Sequence, residues 1–122
     1  KQYAVTVLVT DAVREQVQDL ALLELDRVQV VGRSEAVGLH ALLGDAQMAS
    51  SAAFIAYCQQ HQQMIGLYQQ GRFVQASQAL ESLMAQPWPG LGGFYTVLSQ
   101  RLLELQQLPP GQWQGVHVAS SK

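Results

Sequence analysis

The chain has 122 residues, 48% of them hydrophobic and 13% charged, with a formal net charge of -2. That is enough apolar material for one compact core, or for two small subdomains sharing one, and it leaves no basic field to draw a phosphate backbone, so nucleic acid is excluded as a partner. No apolar run reaches the ~20 residues that span a bilayer, no signal peptide is expected at the start of the chain, and the single cysteine, Cys58, cannot form an internal disulfide.

In chain order, "YAVTVLVT" (Tyr3 to Thr10) is rich in β-branched residues, with Val5, Val7 and Val9 at period two, and predicts a half-buried strand. "TDAVREQV" follows with Thr10 or Asp11 as N-cap and Val13 four residues before Val17, the pattern of a short helix. "ALLELDRVQVVG" alternates through Leu23 and Leu25 and again at Val28 and Val30, interrupted at Asp26-Arg27, where a bulge or turn is expected. "AVGLHALLG" is a third extended segment, joined to the second through a turn over Gly32 to Glu35. The first part thus reads as β-α-β-β with an antiparallel hairpin.

From "DAQMASSA" onward Ala, Leu, Gln and Met replace the β-branched residues, and helices are expected. Phe54, Tyr57, Cys58, His61, Ile65 and Tyr68 follow a helical stripe that Gly71 is placed to stop. Phe73, Ala76, Leu80, Leu83 and Met84 form a second stripe ending before Pro87, and Phe94, Val97, Leu98, Leu102 and Leu105 a third ending before Pro109-Pro110. The spacing Gly71, Phe73, Ala76, Leu80, Leu83 matches the second half of a tetratricopeptide repeat; one such unit cannot bury its own face, so the helices are expected to pack on each other or on the sheet. The fold class is α+β: a β-α-β-β part over residues 1–44, then a TPR-like helical extension with an extended tail over residues 45–122.

Chemical motifs are sparse. The chain lacks GxxxxGK[ST], GxGxxG, HExxH and GxSxG, which removes the common phosphate-loop, dinucleotide, zincin and hydrolase readings. His40, His61 and His117 lie far apart and read as structural histidines; Asp11 reads as a cap, Asp26 as a turn residue, Cys58 as core and "QQHQQ" as a solvated helix face. No catalytic residue and no metal ligand is expected in this chain. Arg33, next to Gly32 at the hairpin tip, has two readings: a guanidinium reaching a phosphate, or a surface cation paired with Glu35.

Taken together, "YAVTVLVTDAVREQV" and "LLELDRVQVVGRSEAVGLHALLG" resemble the end of a class III nucleotide cyclase catalytic domain, whose last hairpin has the form v-x-v-K-G-[KR]-x-E-x-v-x-v-y-x-L. The chain departs from it in having Val31 where a Lys is common and His40 where an aromatic residue is common. The tail "LPPGQWQGVHVASSK" is similar to the ending of bacterial membrane-anchored cyclases that carry a TPR-like extension; Pro109, Pro110, Trp113, Gly115, Val116 and Lys122 stand in the matching places.

The resemblance implies a parent enzyme, an adenylate or guanylate cyclase in signal transduction, that converts ATP to cyclic AMP with Mg or Mn. The family's metal-binding aspartates and its transition-state Asn/Arg pair belong to segments that would precede Lys1, so the fragment alone is expected to be inactive and to need no cofactor. Of the family's functional positions only Arg33 matches one, the hairpin basic residue that can approach the triphosphate. The implied partners are the rest of the cyclase chain and a homodimer partner, with this segment in the cytoplasm, off the membrane, and the parent anchored by upstream segments. Pro109, Pro110, Trp113 and Gly115 are then structural, the prolines stiffening the exit from the last helix, Trp113 burying its ring and "VHVAS" pairing with a strand edge. The competing expectation is a TPR-like protein-protein interaction module without enzymatic role, anchored through an exposed patch of Tyr68, Trp88 and Trp113.

Overall fold

The computed structural model describes Tyr3, residues 5–17, 19–30 and 35–108, Trp113, Gly115 and residues 117–119. Among these the elements run β1 (Leu8–Thr10), α1 (Asp11–Gln16), β2 (Ala21–Val30), β3 (Ala36–Gly44), α2 (Ala46–Ala49), α3 (Ala52–Gln69), α4 (Phe73–Ala85), α5 (Gly92–Leu105) and β4 (His117–Ala119). The fold is α+β. Four strands lie in the order β1-β3-β2-β4, with β3 antiparallel to both β1 and β2 and β4 parallel to β2.

The first strand is shorter than its sequence predicts. Only Leu8–Thr10 pairs with β3, with one further bond from Leu42 N–H to the carbonyl of Val7 (3.1 Å). Upstream, Tyr3 has left the strand line to bury its ring, which is 4% exposed, and to donate its hydroxyl to Asp26 at 2.8 Å. Burial of an aromatic ring with a satisfied hydroxyl outweighs a few edge ladder bonds.

The long strand β2 carries a register shift between Glu24 and Asp26: Glu24 faces His40, and the next pair is Asp26 with Leu39. Leu25 is therefore the extra residue of a β-bulge, which changes the phase of the strand. Ala21, Leu23 and Leu25 are buried before the shift; after it Asp26 is buried and Val28 packs against the core. The bulge is why Leu25 and Val28, three apart, both reach the interior.

The helices cover one face of the sheet: α3 packs on β2 and α4, and α4 on α5. Ser51 caps α3 by accepting the Phe54 N–H (3.2 Å), and Asp45 caps α2 through the Met48 N–H (3.1 Å). At its far end α3 closes in a Schellman turn, with Arg72 N–H donating to Leu67 O (2.9 Å) and Gly71 N–H to Tyr68 O (3.1 Å); Gly71 has φ +83, the left-handed geometry that favours glycine there. Leu23, Leu25 and Ala41 of the sheet share one core with Met64, Ile65, Tyr68, Leu80, Phe94 and Leu98 of the helices. No helix among the described residues is long and apolar enough to cross a membrane.

Candidate functional site

Asp26 is fully buried and accepts hydrogen bonds on both carboxylate oxygens. Oδ2 takes Tyr3 Oη–H (2.8 Å) and the guanidinium of Arg101; Oδ1 takes Tyr68 Oη–H (2.9 Å) and the Arg27 backbone N–H (2.8 Å). Arg101 also donates to Tyr68 Oη at 3.1 Å and stacks 5.4 Å over the Tyr3 ring. A buried carboxylate is tolerated only when its charge is paired and its lone pairs are used, and both conditions hold. Burial, with the Asp26 charge as the next cause, pushes the Tyr3 and Tyr68 phenols well above their ordinary range. The cluster joins the N-terminal segment, β2, α3 and α5, and its saturated oxygens suit a structural hub.

A second buried chain of hydrogen bonds has one allowed direction. His61, on α3, is fully buried. Its Nε2 lies 2.8 Å from the Glu24 carbonyl oxygen, which can only accept, so the proton sits on Nε2. Nδ1 then accepts from Tyr95 Oη–H (2.8 Å), Tyr95 Oη accepts from Tyr57 Oη–H (2.7 Å), and Tyr57 Oη accepts from the Trp88 backbone N–H (3.0 Å). Desolvation by burial lowers the His61 pKa to about 4, which keeps the ring neutral at pH 7, as this arrangement requires. The chain ties the loop before α5 through α3 to the strand next to the bulge.

The third cluster is at the surface. Asp11 opens α1 and is held by His40 Nε2 (2.8 Å), the Gly38 N–H (2.9 Å) and, more distantly, Arg27 (3.8 Å). The cap of α1 is Thr10, whose hydroxyl accepts the Val13 N–H. The hydrogen bond from His40 holds the Asp11 carboxyl below its ordinary range. Asp11 and His40 border a cleft of about 200 Å³ with Arg14, Glu15, Leu22, Glu24 and Gln62. A carboxylate-imidazole pair can orient a proton, but among the described residues the cleft is lined by no Ser, Thr or Cys to activate. Among the described residues no three of His, Cys, Asp or Glu come together to hold a metal ion.

The tail closes against the α3–α4 corner. Trp113 Nε1–H is shared between Tyr68 O (3.0 Å) and Gln69 O (3.1 Å), and its ring lies 5.3 Å from that of Tyr68 and 5.7 Å, edge-on, from that of Phe73. Tyr68 is fully buried, and Trp88 and Trp113 are partly buried against the core, so the three aromatic residues expected to form an exposed anchor patch are packed inward. Trp88 sits on Phe54 and Tyr57, at 5.2 and 5.3 Å. Arg33, Pro109 and Pro110 lie outside the described residues.

Three residues carry more than their sequence positions suggested. Asp26 is a buried acceptor inside a strand and not a turn residue, Asp11 binds β3 and does not cap its helix, and His61 is buried although glutamines flank it on both sides. For His61 a signal existed in its membership of the Phe54–Tyr68 stripe; for Asp26, in the break that Asp26-Arg27 makes in the alternation of Leu23, Leu25, Val28 and Val30. Cys58 is half-buried, and desolvation raises its thiol pKa. Comparison with family models, curated proteins and solved structures finds no match to this chain.

Proposed function

We propose that this chain is the C-terminal part of a class III nucleotide cyclase, in which the β-α-β-β end of the catalytic domain is braced by its helical extension. The observation that carries the reading is the Asp26 hub. The strand that in the resemblance leads to the nucleotide-facing hairpin holds a buried carboxylate neutralised by Arg101 of the last helix and bonded by Tyr68 of the first long one. A groove-presenting adaptor has no need of a sheet welded to its helices in this way, and its expected anchors are turned inward.

In this reading the chemistry of ATP cyclisation belongs to parent segments that supply the metal ligands. The residues here supply the shape of the hairpin and the position of Arg33, whose fixed charge and forked donors suit a phosphate. The test is cyclic AMP formation from ATP with manganese by a chain extended upstream, beside the same chain ended after Gly44. The full extended chain is expected to turn over and the shortened one to lose activity together with soluble, folded protein, because Leu23, Leu25 and Asp26 lose their cover. A folded, fully active enzyme ending at Gly44 would remove the bracing role.

A further inference from the structure

We infer, independently of the cyclase reading, that the cleft bordered by α1, β2 and β3 is a binding site for a small primary alkylammonium ion. Its walls set three carboxylates, Asp11, Glu15 and Glu24, against one guanidinium, Arg14, so the lining carries an excess of negative charge. Asp11 is already engaged: Oδ1 meets His40 Nε2 at 2.8 Å and Oδ2 takes the Gly38 N–H at 2.9 Å. Glu24 gives Oε2 to the Gln69 amide at 3.3 Å. Its other oxygen, like both oxygens of Glu15, accepts no hydrogen bond among the described residues.

Exposed carboxylates are ordinarily served by water and do not define a site; His40 does. A carboxylate only accepts, so the neutral ring carries its proton on Nε2, donates it to Asp11, and leaves Nδ1 as an acceptor. Nδ1 is buried and has no hydrogen-bond partner among the described residues, in a side chain that is 8% exposed and borders the cleft. Glu24 and His40 are directly opposed in the β2–β3 ladder, which stands their side chains on one face with Cβ atoms ~5 Å apart. The neighbouring pair, Leu23 with Ala41, turns the other way into the core. An imidazole nitrogen beside a carboxylate, each short of a donor, calls for a ligand that brings several N–H groups and positive charge together. A primary ammonium has three such donors. Leu22, half-buried in the same wall, offers apolar contact to its methylenes. The cleft, at about 200 Å³, is smaller than the ~300–1,000 Å³ of sites that take drug-sized molecules, which limits the occupant to a short amine.

The test titrates the 122-residue chain at low salt and about pH 8, where an ordinary imidazole is neutral. Butylammonium and tetramethylammonium chloride are added in separate series, followed through backbone amide shifts and the ring nitrogen shifts of His40. Butylammonium is expected to give saturable shifts at Leu22, Glu24 and His40 and to move Nδ1 from the position of an unbonded acceptor. Tetramethylammonium, with the same charge and no N–H, should bind at least about tenfold more weakly. Glu15→Gln combined with Glu24→Gln should weaken butylammonium about tenfold, with the amide shifts of Leu23 and Ile65 in place to show the fold intact. Equal binding of the two ions, or butylammonium shifts with Nδ1 unmoved, overturns the site and leaves charge attraction alone. The absence of any saturable shift overturns it as well, water then serving His40.

Discussion

Asp26 and Arg101 stand 75 residues apart in sequence and form a buried ion pair, the carboxylate fully enclosed and the guanidinium side chain 13% exposed. The pair joins the sheet to the last helix, and its energetics follow from what each partner leaves behind when the other is removed.

Arg101→Met leaves an unneutralised carboxylate in the interior and is expected to cost about 3–5 kcal/mol of unfolding free energy. Adding Asp26→Asn to it removes that charge, so the double variant should be more stable than Arg101→Met alone. Tyr68→Phe removes one hydrogen bond to the carboxylate and should cost about 1.5–3 kcal/mol. Urea unfolding of wild type, Arg101→Met, Asp26→Asn, their double variant and Tyr68→Phe checks the order; additive losses from Arg101→Met and Asp26→Asn would mean that the two residues do not interact.

Acid should weaken the fold through His61. Its pKa is lowered from 6.5 to about 4 in the native state, so the contribution of the neutral ring is complete above pH 6.5 and is lost as pH falls from there toward 4. The linkage amounts to roughly 3 kcal/mol across that window. In His61→Gln, whose amide can accept from Tyr95 and donate to Glu24 O, the slope of stability against pH over that range should flatten. Asp11, lowered from 3.8, acts in a separate window: its contribution is present above 3.8 and declines at still lower pH.

Alkali should act through the buried phenols. Tyr3, Tyr68 and Tyr95 all have raised pKa values, burial being the first cause of each. Their native state favours the protonated form, so the stability they contribute is complete below the unfolded value of 10.0 and declines as pH rises past it. Phenolate absorbance from these three should appear together with loss of near-ultraviolet circular dichroism; phenolate formation at all four tyrosines while the fold persists would refute their burial.

Trp113→Ala should cost about 2–3 kcal/mol, below the ~3–5 of a wholly buried aromatic because this ring is only partly enclosed. Thermal unfolding reads the difference directly. A loss under about 0.5 kcal/mol, the level of an ordinary surface site, would show the tail to be undocked.

Periodicity disclosed most of the elements because their apolar spacing is local. The Phe54 to Tyr68 stripe, the stop at Gly71 and the helix around Leu98 all depend on neighbours within a few residues, and the structure places helices α3, α4 and α5 there. The shortened β1 and the burial of Asp26 depend on one another at long range: Tyr3 leaves its strand for a carboxylate whose other partners come from Tyr68 and Arg101. The interruption at Asp26-Arg27 marked the bulge, but nothing local says that the carboxylate it turns inward will meet an arginine near the other end of the chain. The His61 relay was half legible, since the stripe placed the ring inward while its partners Tyr95 and Glu24 O come from a distant helix and a backbone carbonyl.

The measurement that tests the central claim most directly is the steady-state rate of cyclic AMP formation with manganese and ATP by the upstream-extended chain, beside the same chain carrying Arg33→Ala. The account predicts product from the first and a raised KM for ATP in the second. A well-folded extended chain that forms no cyclic nucleotide from ATP or GTP would contradict it.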